Sequence, residues 1–127
     1  GLVIKNLRQP TFTTLSGIST ALPRTIRGGV SVMPRSGLTL ALDMDLDTAD
    51  QWDGPRRMIA LGAEDQLNDR WTTRAGLRWN VKDASTGPVA AAGLSARVAA
   101  RWWVDVHGTI GRTERDRGAG VALRAAF

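Results

Sequence analysis

The chain has 127 residues with a net charge of +5, five Trp, two Phe, no Tyr and no Cys. That length suits one domain spanning residues 1–127, and the lack of thiols excludes a disulfide framework or a thiolate metal site. An isoelectric point of about 11.2 would fit a nucleic-acid binder only if the bases clustered; Arg27, Arg74, Arg78, Arg97 and Arg124 instead stand singly among small or apolar residues, so no nucleic-acid partner is expected.

No apolar run approaches the length of a membrane-spanning helix. There is no initiating Met and no basic-then-apolar leader, so the expectation is a processed chain or a fragment of something larger. In chain order, residues 1–7 (GLVIKNL) are β-prone, and the Thr-, Ser- and Gly-rich stretch from Arg8 to Pro23 reads as a long loop. A strand follows from about Arg24 to Met33, with Ile26, Gly28, Val30 and Val32 on one face. Pro34 to Gly37 is a tight turn by its residue types. Leu38 to Asp47 (LTLALDMDLD) alternates most clearly, Leu38, Leu40, Leu42, Met44 and Leu46 against Thr39, Ala41, Asp43, Asp45 and Asp47. A helix would scatter these acids around its circumference, so the period is two.

After a polar loop at 48–55, a strand runs from about Arg56 to Gln66, and Asn68-Asp69-Arg70 turns it around. Trp71 to Asn80 alternates again, placing Trp71, Ala75, Leu77 and Trp79 opposite Arg74, Gly76 and Arg78. A loop at 81–88 precedes Val89 to Val98, where Leu94, Ala96 and Val98 oppose Gly93, Ser95 and Arg97. Trp102 to Ile110 puts Trp102, Val104 and Val106 on one face and Trp103, Asp105 and His107 on the other. The charged loop GRTERDRG leads to a closing strand, Gly120 to Phe127, with Val121, Leu123, Ala125 and Phe127 opposite Gly120, Ala122, Arg124 and Ala126.

The pattern predicts an all-β, antiparallel up-and-down barrel of about eight strands, each near the length a tilted membrane strand needs. Long links (8–23, 48–55, 81–88, 111–118) alternate with short ones (34–37, 68–70, 99–101), as in outer-membrane barrels with long external loops and short periplasmic turns. The mixed face interleaves Arg27, Asp43, Asp45, Glu64, Arg74, Arg78, Arg97, Asp105, His107 and Arg124 with Gly, Ala, Ser and Thr. The other face is Leu, Val, Ile, Ala and Trp. A charge facing lipid costs about 2–4 kcal/mol at the bilayer midplane, so the charged face is expected to line the lumen as an acid–base network. Trp71, Trp79 and Trp102, near strand ends, are expected to anchor the lipid interface. A half-exposed soluble sheet, apolar inside and polar outside, is the competing architecture.

The segments PRTIRGGV, GLTLALD, LGAE and RAGLR, followed by the terminal AGVALRAAF, resemble the carboxy-terminal half of outer-membrane barrels related to the PorV, TraF-like and FadL (long-chain fatty-acid transporter) proteins. The resemblance covers most of the chain from Lys5 onward. It implies a sheet that is the last eight or so strands of a barrel of about fourteen. The closing alternating strand with its aromatic end separately resembles the terminal sorting signal of bacterial outer-membrane β-barrels, so Gly120, Leu123 and Phe127 are expected to be read by the barrel-assembly machinery. Asp65 and His107 depart from the family pattern. No catalytic residue and no cofactor follow from it.

Asp43, Asp45 and Asp47 open like a calcium loop, but the required Gly is missing and apolar residues alternate between the acids, so a strand face explains them. Arg74 and Arg78 are expected to pair with Glu64 and with Asp43 or Asp45 on neighbouring strands. Asp105 and His107 share a face and could orient one another as a general-base pair, which makes a barrel enzyme one alternative; a soluble ligand-binding barrel is the other. The expected function is non-enzymatic: a bacterial outer-membrane channel or transporter for small or hydrophobic molecules, or a barrel partner of a secretion or conjugation system. Outer-membrane lipid is then its environment.

Overall fold

The computed structural model describes residues 1–17, 19–51, 54–83, 85 and 87–126, except the side chains of residues 50 and 51. Twelve strands form: Leu2–Lys5 (β1), Thr11–Thr13 (β2), Ser19–Ala21 (β3), Thr25–Arg35 (β4), Leu38–Asp45 (β5), Ala49–Gln51 (β6), Gly54–Arg56 (β7), Met58–Gln66 (β8), Trp71–Asn80 (β9), Val89–Ala99 (β10), Trp102–Ile110 (β11) and Gly118–Ala125 (β12). Eight of them make one sheet in the order β1-β4-β5-β8-β9-β10-β11-β12, every neighbouring pair antiparallel. The expected all-β up-and-down meander is therefore present. Its edge strands, β1 and β12, are not paired with one another among the described residues.

Three details differ from the sequence reading. The loops at 8–23 and 48–55 carry small hairpins, β2–β3 and β6–β7. Residues 114–116 form a single 3₁₀ turn. Pro34 and Arg35 stay in β4 rather than in the turn, because the ladder shifts between Val32 and Arg35 and again between Arg97 and Ala99. Each shift is a bulge that adds a residue to one strand and bends it. The turn itself needs Gly37, whose φ of 84° is left-handed and open to Gly without a Cβ penalty.

Strands alternate in direction, so links 6–24, 46–57, 81–88 and 111–117 leave one rim, and turns 36–37, 67–70 and 100–101 leave the other.

The pairing sorts side chains onto two faces. Val30↔Leu42↔Leu61↔Leu77↔Ala90↔Ile110 is one continuous row of the apolar face. Among the described residues no second layer covers it: Leu42 is 41 % exposed, and Leu40, Leu61, Leu77, Leu94 and Val106 are comparably open. Among the described residues, only Ala49 and Val89 are buried apolar side chains. Soluble domains bury such a face against a second layer. The chain exposes 9480 Å², against roughly 6,600 Å² for a compact globular protein of 13.7 kDa. The excess is what an uncovered single sheet should show. No described helix is long and apolar enough to cross a membrane, a finding that says nothing about strands.

Candidate functional site on the charged face

Register places the acids and bases of β4 to β12 on the face opposite the leucines. Nearest the long-link rim, Arg27↔Asp45 face one another. Arg27 Nε donates to Asp45 Oδ1 at 2.8 Å, and the backbone N–H of Met58 donates to Asp45 Oδ2 at 2.9 Å. Arg57 Nε donates to the backbone carbonyl of Asp45 at 3.0 Å. These contacts leave Asp45 only 3 % exposed. A carboxylate can be buried here because both its oxygens are occupied by donors.

Further along the strands, Glu64↔Arg74↔Gly93↔His107↔Gly120 form a row. Arg74 Nε donates to Glu64 at 2.5 Å and its Nη1 donates to the Ser95 hydroxyl at 2.8 Å. Ser95, buried, donates a hydrogen bond to Asp105 Oδ1. Asp105 also lies 3.9 Å from Arg74 and 3.6 Å from Arg124. One acid thus serves two guanidiniums and a hydroxyl. Glycines beside the long side chains are part of this arrangement: a Cβ on Gly120 would lie 2.6 Å from the His107 ring.

Asp105 is committed to this network. Among the described residues His107 is exposed and makes no hydrogen bond to it. The expected pairing of Arg74 with Glu64 forms, whereas Arg78 does not reach Asp43 or Asp45. Asp45 is taken by Arg27, and Ala60 of β8 stands between Asp43 and Arg78.

Alternation already places Trp103 on the face of Asp105 and His107; its partners there are what the sequence does not show. Trp103 faces the charged side, with the Arg97 and Arg124 guanidiniums 5.7 Å and 5.2 Å from its ring centroid. Arg97 also donates to the Ala100 carbonyl at 2.8 Å. The available signal was the Arg97↔Trp103↔Arg124 alignment, a cation–π arrangement visible only once register is known.

On the apolar face, Trp71 and Trp102 begin their strands at the short-turn rim, and Trp79 lies near the long-link rim. Leu123 shares that face opposite Val104, Gly120 lies on the charged one opposite His107, and Phe127 falls outside the described residues. Two opposite charges, Asp65 and Arg35, do sit on the apolar face, both in register with Leu38. Asp65 pairs with Thr73 and Leu38 in register, and Arg35, carried past the β4 bulge, reaches it at 2.7 Å. The second oxygen, Oδ1, is buried without a hydrogen bond.

At the long-link rim a cleft of about 650 Å³ opens, lined by Met58, Arg78, Asn80 and Val89 together with Asp83 and the 3₁₀ turn. The Asp83 carboxyl is held below the usual range by the Ser85 hydroxyl and backbone N–H. Just outside β5, Asp47 is likewise lowered, first by Arg24 at 3.0 Å and then by the Thr48 N–H. No group of three or more His, Asp or Glu side chains that could hold a metal ion gathers among the described residues.

No protein-family model, no curated protein and no solved structure matches this chain.

Proposed function

We propose that the chain forms the wall, or a section of the wall, of a bacterial outer-membrane β-barrel that passes small molecules. The single observation behind this reading is the uncovered apolar face set against a largely paired acid–base face, in a sheet whose described residues bury only two apolar side chains. In water such a face would be an association surface of a size that monomeric proteins rarely tolerate. Against acyl chains the same leucines and valines need no second layer, and the opposite face keeps its charges away from lipid. Spanning lipid also requires every backbone group to be paired, so the β1 and β12 edges are completed by pairing in the membrane.

The passage is water-filled in this proposal. An eight-stranded barrel closed on itself has an interior just filled by side chains, whereas Arg74 here remains 44 % exposed and Glu64 51 %. Such openness suits a wider cylinder with further strands at the two edges. It also agrees with the resemblance to longer outer-membrane barrels. In the same reading β12, with Gly120 and Leu123, is the strand recognised by the assembly machinery.

The test is accessibility. Single cysteines at Leu42 and Asp43 in the full chain, folded into lipid vesicles, are challenged with a water-soluble maleimide. D43C should react and L42C should be protected. A chain that stays monomeric without detergent, or equal labelling at the two positions, refutes the membrane assignment.

A further inference from the structure

We infer that the passage is anion-selective and that Arg78 is its selecting residue, an inference that rests on the channel reading above. Five arginines project from the charged face of the strands. Arg27 is held by Asp45, Arg74 by Glu64 and Ser95, Arg124 by Asp105, and Arg97 by the Ala100 carbonyl and the Trp103 ring. Arg78 alone of the five has no ion-pair or hydrogen-bond partner among the described residues. The acid in its own row, Asp43, is two strands away across Ala60, about 10 Å at ordinary strand spacing. Its carboxylate leans the other way, over Gly29.

There is room for an ion beside Arg78. The adjoining row toward the short turns reads Ser31, Ala41, Gly62, Gly76, Ala91 and Thr109, with no side chain longer than Thr. On its other side lies the rim cleft, where Asp83 is engaged by Ser85 and Asp116 by Thr113. Glu114 is the third acid lining the cleft, and Arg56 and Arg115 line it beside Arg78. Three carboxylates are thus matched by three guanidiniums, of which that of Arg78 has no ion-pair or hydrogen-bond partner among the described residues. Strongly hydrated lysine-type point charges are not needed: an arginine presents several donors to a passing chloride or short carboxylate. Rings of Arg or Lys are the usual filters of anion pores.

A fixed unit charge about 7 Å from an ion in water changes that ion's local population about threefold, upward for an anion and downward for a cation. The full chain, folded in detergent and inserted into planar bilayers, is measured under a potassium chloride gradient. The wild type should give a chloride-to-potassium permeability ratio above one. Because the two effects multiply in the ratio, R78Q should lower it about sevenfold, and R78K should preserve it. A wild-type ratio at or below one, or an R78Q ratio equal to wild type, overturns the inference and leaves the channel reading standing. Absence of conductance in wild-type chains that pass the labelling test overturns the channel reading and the inference with it.

Discussion

Replacing Asp45 by alanine probes the best-buried charge in the sheet. Two separate losses follow. The Met58 N–H, which donates to Oδ2 at 2.9 Å, is left without an acceptor between two strands, a loss of about 1–3 kcal/mol. The ion pair with Arg27 is lost as well, but that guanidinium is 52 % exposed, so solvent screening holds its share to about 0.2–1 kcal/mol. D45A should therefore cost about 1–4 kcal/mol, most of it from the backbone donor. D45N keeps the shape and one acceptor oxygen, and should fall near half that cost. R27Q leaves the Met58 bond intact and should cost less than about 1 kcal/mol. Urea unfolding of the full chain in detergent micelles, followed by tryptophan fluorescence, reads all three. The reasoning fails if D45A unfolds within about 0.5 kcal/mol of wild type, or if R27Q is as damaging as D45A.

Three more predictions follow from other parts of the sheet. L42R should destabilise the protein folded in vesicles by about 2–4 kcal/mol, measured by urea titration, whereas an unaltered midpoint would mean that the apolar face meets water. G37A must hold a left-handed φ of 84° with its Cβ 2.9 Å from the Gln66 carbonyl oxygen; it should cost about 1–3 kcal/mol in the same unfolding assay. Asp47 titrates in the folded chain below its ordinary value of 3.8, so its contribution is complete above pH 3.8 and fades as the pH falls through the depressed value; carboxyl NMR of wild type should show that midpoint, and R24Q should return it toward 3.8.

Much of the sheet was legible because alternation and turn chemistry agree. Trp71–Asn80 and Trp102–Ile110 were bounded correctly, since each begins at an aromatic after a short turn and ends at a polar link. The rim hairpins β2–β3 and β6–β7 were not legible. Three residues are too few to show a period, and Thr- and Gly-rich sequence is what loops also use. The bulges were hidden for a related reason. Pro34 signals a turn by composition, yet the ladder shift keeps Arg35 in β4 and aims it at Asp65. The charged residues could be assigned to one face, but not to partners. Pairing depends on register, which leaves Ala60 between Asp43 and Arg78 and commits Asp105 to Ser95 rather than to His107.

The four long connections share one rim, and the opposite rim has only tight reversals. Peptide tags or whole domains grafted into residues 81–88 or 111–117 would extend that rim and leave the strand ladder in place, while a graft at 36–37 would break the turn geometry that the left-handed Gly37 permits. The sheet therefore offers one editable end and one fixed end, and length variation can accumulate at the first while the ladder stays unchanged.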